Sequence, residues 1–339
     1  MINLYFFLWP SNLGGADTRL KELIQCFNTN KKYKLFCIPN DNFRLEEVEN
    51  ISFLKKNNVE ILRWEDLPEK TEGFGISFCN FRIFSENWRI KKIKSMGLKF
   101  IWSNDMMWRT NEEKWAFDNN FIDATIYTSN QHYQDIRLQK SKEYIIPNYF
   151  HLENYRYIQR EEKDVFTIGK HSRPDFLKFS DNFPLFYEGL GIKNPKYRVM
   201  GLNKKIVEHF SWFNFNKDKW TLLPATKENV IDFLKSLDCY VYNSHYTFTE
   251  TQCRATIEAM LTGLPVIAPN KVNFVNQINH NKTGFIWKTY EEACEYAQFM
   301  DLSYKDRIQI GVEARNLSIK LWCNSDEHIK LWEEIFKSI

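Results

Sequence analysis

Glu250 and Glu258 are the residues whose type and spacing most directly invite chemistry. They stand eight positions apart in E-T-Q-C-R-A-T-I-E-A-M-L-T-G-L-P-V-I-A-P, Glu250 to Pro269. If the residues between them are helical, they span about 12 Å along the axis, roughly the length of a sugar-diphosphate-ribose unit. A carboxylate inside the helix can accept hydrogen bonds from vicinal hydroxyls of a ribose. One in the preceding loop can face the hydroxyls of a second sugar. The unpaired backbone N–H groups of the helix start, lying between them, suit a diphosphate. The competing reading is a solvated loop glutamate followed by one on an exposed helical face.

The flanking text says which elements must hold these two side chains. Cys253 to Thr262 reads as a short helix, and Gly263 is placed to stop it in the left-handed conformation. Leu264 to Ala268 is an apolar run of buried-strand type, closed by Pro269. Loop, helix, tight turn and strand form one half-turn of a doubly wound α/β domain.

This stretch resembles the E-x7-E signature of family 4 of the retaining GT-B glycosyltransferases, whose text runs close to E-S-F-G-x-x-x-x-E-A-M-A-x-G-x-P-V-I. Both glutamates, Ala259, Met260, Gly263, Pro265, Val266 and Ile267 match, whereas Thr251, Gln252 and Cys253 replace Ser-Phe-Gly. The resemblance implies an α/β GT-B fold: two Rossmann-like domains facing a central cleft, with a C-terminal helix crossing back to the first. The corresponding bounds are 1–152 for an acceptor domain, 153–318 for a donor domain and 319–339 for the returning helix. It implies Glu250 at the transferred sugar and Glu258 at the ribose. Arg173 and Lys178, in K-H-S-R-P-D-F-L-K after the strand Val165 to Gly169, would hold the diphosphate, with Lys170 as an alternative candidate. Thr251, His245 and Arg254 fall in the donor loop and helix start, and Pro224-Ala225-Thr226 would lie against the base. His245 could equally cap a turn. Gly14-Gly15 resembles the family's Gly-Gly near the donor phosphates; a plain left-handed turn is the alternative. After the strand Lys99 to Ser103 the family often has His-Asp, the histidine facing the reacting carbon. Here Asn104-Asp105 stands there, and an amide can bond a hydroxyl but cannot take up a proton.

The implied reaction moves a sugar from a nucleotide-diphosphate sugar, a UDP-sugar first, to a hydroxyl of a glycan or lipid-linked saccharide. No cofactor is expected, and no metal: the chain contains no Asp-x-Asp, and side-chain cations can serve the diphosphate. Three other readings share the motif. The acceptor could be a hydroxymethylated base in DNA, the chain could be a non-catalytic nucleotide-sugar-binding subunit, or it could be a sugar-nucleotide epimerase.

The chain's 339 residues are enough for two domains, and 16 % aromatic content allows sizeable cores. The formal charge of +3 is spread over both halves, so neither reads as a polyanion-binding domain. Seven cysteines without a C-x-x-C pair read as reduced thiols in a cytoplasmic protein. Leu4 to Trp9 is too short for a membrane span and lacks a basic leader, so it reads as a first strand.

The remaining text alternates strand and helix patterns. Ile2 to Trp9 is a strand and Pro10 to Gly15 a loop without G-x-G-x-x-G. Leu20, Leu23, Ile24 and Phe27 mark one face of a helix over Ala16 to Asn28. A helix is read over Asn50 to Asn58, a strand over Val59 to Trp64, and a helix over Glu228 to Leu237. His132 reads as a helix-surface residue. Glu153 to Asp164 is charged and irregular, as in a linker. The stretch Arg89 to Lys99 carries five cations and no acid, with Ile90, Ile93 and Met96-Leu98 as an apolar side. It reads as a surface helix with snorkelling lysines, or as a peripheral contact at the membrane inner face, or as a phosphate-backbone contact. Asn324 with Glu327 opens a last helix striped by Ile329, Trp332, Ile335 and Phe336.

Overall fold

The computed structural model describes residues 1–11 and 14–339. Asn12 and Leu13, within the loop read over Pro10 to Gly15, lie outside the described residues. The chain divides into two compact units, Met1–His151 with Trp322–Ile339, and Leu152–Leu321.

Among the described residues, the first unit carries a seven-stranded parallel sheet. Its strands are β1 (Ile2–Phe6), β2 (Tyr33–Cys37), β3 (Val59–Ile61), β4 (Phe74–Phe78), β5 (Lys99–Ser103), β6 (Ala124–Tyr127) and β7 (Lys142–Ile145), in the order β3-β2-β1-β4-β5-β6-β7. Apolar side chains fill both faces, as a parallel sheet requires. One face packs Leu20, Ile24 and Phe27 of the helix Gly15–Asn28 against the sheet. The last helix, Ser325–Ser338, lies on the same face: Ile329, Trp332 and Ile335 are buried in that core, and Trp332 meets Phe27 edge-on at 5.7 Å. Asn324 caps this helix by accepting from Glu327 N–H.

The second unit is built the same way. Its strands are β8 (Phe166–His171), β9 (Pro195–Met200), β10 (Trp220–Leu223), β11 (Cys239–Val241), β12 (Val266–Pro269) and β13 (Phe285–Trp287). They are parallel, in the order β10-β9-β8-β11-β12-β13. The order reverses between β8 and β11, so a crevice outside the carboxyl ends of these two strands is the expected ligand position. Gly169 lets β8 and β9 come together there: a Cβ on it would lie 1.7 Å from Arg198 O.

Several elements depart from the sequence reading. The helix read over 50–58 is Val48–Lys56, and Asn58 beyond it sits at φ 55°. The strand from Val59 stops at Ile61, and Trp64 instead sends its indole N–H to Pro39 O at 2.9 Å. The helix read over 228–237 is Val230–Lys235, because the Asn229 side chain accepts from Ile231 N–H and fixes the start. Glu153 to Asp164 is no loose linker. Arg160 within it is buried and donates to Leu237 O at 2.9 Å and Gly263 O at 3.1 Å, and burial pushes its guanidinium down to about 10. His132 is fully buried, not a surface residue; Thr128 N–H donates to its Nδ1 at 3.1 Å.

The basic stretch also differs. The helix Trp88–Ser95 buries Ile90 and Ile93, and Met96 and Leu98 follow them into the core beside Phe100, so the apolar side is not offered to lipid. Arg89 is buried against Glu86 at 2.8 Å, an acid just outside the basic run, and Lys94 pairs with Asp123 at 2.6 Å. No described helix is long and apolar enough to cross a membrane.

Candidate active site

The signature helix is Arg254–Leu261, and its two ends are treated differently. At the carboxyl end, Gly263 takes φ 75° and Arg160 donates to Thr262 O at 3.3 Å. Arg315 donates to Leu261 O. Two cations therefore cap carbonyls that carry the negative end of the helix dipole. A Cβ on Gly263 would also press on the Tyr157 ring at 2.6 Å.

Glu258 faces the end of β8. Its Oε2 accepts from His171 Nε2 at 2.9 Å, and Arg254 lies 3.4 Å from Oε1, one helical turn back. Burial alone would raise this carboxyl, but the His171 hydrogen bond and the Arg254 charge outweigh it and hold Glu258 below the usual carboxylate range. The exposed-face alternative for Glu258 is thereby excluded. Arg254, a cation at a helix start where the dipole disfavours it, gains its compensation from Glu258. Tyr240 fixes the histidine's backbone: its hydroxyl donates to His171 O at 3.1 Å and accepts from His171 N–H at 3.2 Å.

Glu250 and Lys178, 72 residues apart, form an ion pair with both side chains largely buried. Tyr242 donates to the same carboxylate at 2.7 Å, and the Lys178 ammonium lies 4.5 Å from the Phe248 ring centroid. The S-R-P-D-F-L-K text explains the approach. Asp175 accepts from Leu177 N–H at 3.0 Å and starts a short 3-10 turn, Phe176–Lys178, which carries Lys178 toward the Glu250 loop. Arg173 lies in the loop before this turn, 3.2 Å from Asp175 and less buried than Lys178.

Other expected residues lie elsewhere. Lys170 does not face the crevice. β8 runs two residues past Gly169, which draws Lys170 into the interior, where its ammonium donates to Asn243 O at 2.5 Å and to Lys178 O. Burial and then the like charge of Lys178 push it far down. Its place is to tie β8 to the two loops that carry Lys178 and Glu250. His245 caps a turn, accepting from Thr247 N–H at 3.3 Å. Thr251 is buried. Pro224 opens a turn in which Thr226 takes φ 61°.

In the first unit, Asn104 is only 1 % exposed and its amide is committed: it donates to Trp108 O at 2.6 Å and Glu113 Oε2 at 2.9 Å, and accepts from Met106 N–H. Both of its amide hydrogens hold its own loop and neighbour, so it has no N–H left to donate to a sugar. Asp105 is bound to Arg19 at 2.6 Å. Gly14 is extended, with φ −135°, as the cap of the helix that Gly15 opens, so the left-handed-turn alternative does not hold. Among the described residues no group of three or more His, Cys, Asp or Glu side chains is arranged as a metal site.

Sequence reasoning passes over His171 and Lys271. A strand ended at Gly169 leaves His171 looking like a loop residue. Lys271, after β12, donates to Ser244 Oγ, His245 O and Phe248 O at 3.2, 2.9 and 2.6 Å, and so braces the Glu250 loop from the far side.

Comparison with solved structures places this geometry among known folds. The chain aligns over 100 % of its length with S. aureus TarM, solved as a point mutant with fondaparinux, alpha-GlcNAc-glycerol and UDP, at TM-score 0.79 and 13 % identity, covering 100 % of that chain. Anabaena Alr3699/HepE in complex with UDP and glucose aligns at TM-score 0.72 and 14 % identity, with 100 % of both chains covered. The sucrose-phosphate synthase of Thermosynechococcus elongatus follows at 0.69 and 12 %, again over 100 % of both chains.

The fold is that of the GT-B glycosyltransferases. Residues 186–316, which include both signature glutamates and all of the helix between β11 and β12, match the family model described as "Glycosyl transferases group 1". No curated protein sequence matches the chain.

Proposed function

We propose that the chain is a retaining glycosyltransferase that moves a sugar from a nucleotide-diphosphate sugar, a UDP-sugar first, to a hydroxyl of a saccharide-type acceptor, without a metal ion. The observation that carries this reading is the double pairing in the second unit. Lys178 meets Glu250 in the loop before the signature helix, and His171 and Arg254 meet Glu258 in its middle, beside the β8/β11 reversal. The group 1 match and the UDP-bound structures of similar fold support it.

Each residue then has a task set by its chemistry. Glu258, kept ionised, accepts hydrogen bonds from the ribose hydroxyls. The backbone N–H groups at the helix start, with Lys178 and Arg173, stabilise the diphosphate as negative charge builds on it. The Pro224–Thr226 turn lies against the base through backbone groups. Glu250 accepts from the hydroxyls of the transferred sugar, and Lys178 links that carboxylate to the leaving group. Glu250 is engaged by Lys178 and Tyr242 and serves to position the sugar instead of attacking it. Retention follows from displacement on one face. The acceptor oxygen bonds to the anomeric carbon as the carbon–phosphate-oxygen bond breaks, and the departing phosphate oxygen takes the acceptor's proton.

A thermal-shift screen against UDP-, GDP- and ADP-sugars tests the donor assignment. Stabilisation by UDP-sugars that is lost in Glu258→Gln is expected; no shift with any nucleotide sugar would contradict it.

A further inference from the structure

Glu250 stands in a stretch without regular structure, so its place is set from outside. Among the described residues, 242–253 form neither helix nor strand, and their carbonyls need donors from other elements. Lys271 and the short helix Val272–Val275 supply support from the end of β12. Asn270 N–H donates to Trp287 O at 2.7 Å, which extends the β12–β13 pairing up to the residue before Lys271. Two lines of contact run from this anchored segment to Glu250.

The first line starts at the Lys271 ammonium. Its three hydrogens match three acceptors, Ser244 Oγ, His245 O and Phe248 O, at 3.2, 2.9 and 2.6 Å. Phe248 N–H donates to His245 O at 3.0 Å, so the ammonium caps a closed turn that ends at Phe248. The Phe248 ring lies 4.5 Å from the Lys178 ammonium, and Lys178 pairs with Glu250. Phe248 is thus held through its carbonyl by Lys271 and supports Lys178 through its ring. The second line starts three residues later. Phe274, whose N–H donates to Lys271 O at 2.9 Å, packs its ring 4.9 Å from that of Tyr242, and the Tyr242 hydroxyl donates to Glu250 at 2.7 Å. One short segment therefore stands behind both partners of the Glu250 carboxylate. Burial pushes the Lys271 ammonium down and the Glu250 charge opposes this, so the two groups also interact through their charges.

On the donor reading given above, we propose that Lys271 is a positioning residue for the transfer step: by fixing Phe248 it sets Lys178 and Glu250, as a pair, in the place that receives the transferred sugar. The His171–Glu258 pair, assigned to the ribose, takes no part in either line. Lys271 therefore governs the sugar end of the donor and leaves the nucleoside end to other residues. A lysine that merely stabilised the fold would weaken both ends together.

Two variants of the full chain test this. Each is compared with the wild type for UDP affinity by calorimetry, and for UDP release from UDP-glucose, UDP-galactose and UDP-N-acetylglucosamine with a panel of saccharide acceptors. Lys271→Met keeps the apolar stem and removes the three hydrogen bonds. Phe248→Leu keeps those bonds, which use only the backbone of residue 248, and removes the ring from Lys178; it reads the same line even if Lys271→Met does not fold. Both are expected to lower kcat roughly tenfold or more while UDP affinity stays within about threefold. Glu258→Gln should show the opposite balance. The double variant should lose little more than either single one, because both act at one joint. Unchanged kcat in the folded variants, or a loss of UDP affinity as large as the loss of kcat, reduces Lys271 to a brace of the fold and overturns the proposal. A wild type that binds no UDP contradicts the donor reading itself, and this role for Lys271 falls with it.

Discussion

His171 Nε2 lies 2.9 Å from Glu258 Oε2, joining the last residue of β8 to the middle of the signature helix. This bond, with the Arg254 charge, holds a buried carboxyl below the usual carboxylate range against burial, which alone would raise it. An ionised carboxylate has lone pairs beyond those the histidine and arginine use, and these can receive the hydroxyls of a ribose.

Glu258→Gln should therefore weaken nucleotide binding while preserving the shape of the site. Loss of charge-assisted hydrogen bonds costs about 1.5–3 kcal/mol, or roughly a ten- to hundredfold rise in donor KM. Steady-state kinetics with variable donor gives the value. Unchanged donor KM in a folded variant would return Glu258 to a purely structural role.

Lys178 and Arg173 should act mainly as charge leaves the anomeric carbon. Alanine at either position is expected to lower kcat as well as donor affinity, and Lys178→Ala more, because it also strips Glu250 of its cation. Pre-steady-state turnover at saturating donor separates the two effects. Normal turnover in both variants would displace the donor site from this crevice.

How much of this is legible in the sequence depends on whether the relevant physics is local. The helix stop at Gly263 and the Asn324 cap are set by neighbours within a few residues and are found where the text places them, whereas the apolar strand read over Leu264 to Ala268 runs from Val266 to Pro269. The meeting of Lys178 with Glu250 is not local, yet family text marks both residues because each sits in a recognisable turn. Lys170 is read as a loop cation and His171 is passed over because their polarity hides the continuation of β8, a matter decided by pairing with β9 across the sheet. The commitments of the Asn104 amide are hidden for a related reason. Its position suggests a substrate contact, but Glu113 and Trp108 O, which claim its amide, are visible only once the loop is folded. The apolar side of Arg89 to Lys99 could equally face lipid or core, and only the fold buries it.

The first unit should lose stability in mild acid. His132 and His328 are buried, and burial pushes their imidazoles down to about 4 and about 3. In the unfolded chain they would titrate near 6.5, so between that pH and the folded values the unfolded state binds more protons. Their contribution is complete above about pH 6.5 and declines as pH falls, by up to about 1.4 kcal/mol per pH unit for each histidine. Thermal midpoints measured from pH 7.5 to 4.5 should fall, and less steeply in His328→Gln. A flat profile would contradict neutral burial of these side chains.

Activity should withstand chelation, since side-chain cations and a helix start are assigned to the diphosphate. Excess EDTA is expected to leave the rate within about twofold. Full loss with EDTA, restored by Mn²⁺, would place a metal ion in the reaction.

The central claim is that the second unit's paired carboxylates and cations release a nucleoside diphosphate by glycosyl transfer. Coupled detection of nucleoside diphosphate release, run with UDP-, GDP- and ADP-sugars against a panel of mono- and oligosaccharide acceptors, measures this directly. The account predicts acceptor-dependent UDP release with a product of unchanged anomeric configuration, and loss of that release in Lys178→Ala. Tight UDP-sugar binding with no release toward any acceptor would instead make the chain a non-catalytic nucleotide-sugar-binding subunit, and an inverted product would contradict the one-face displacement.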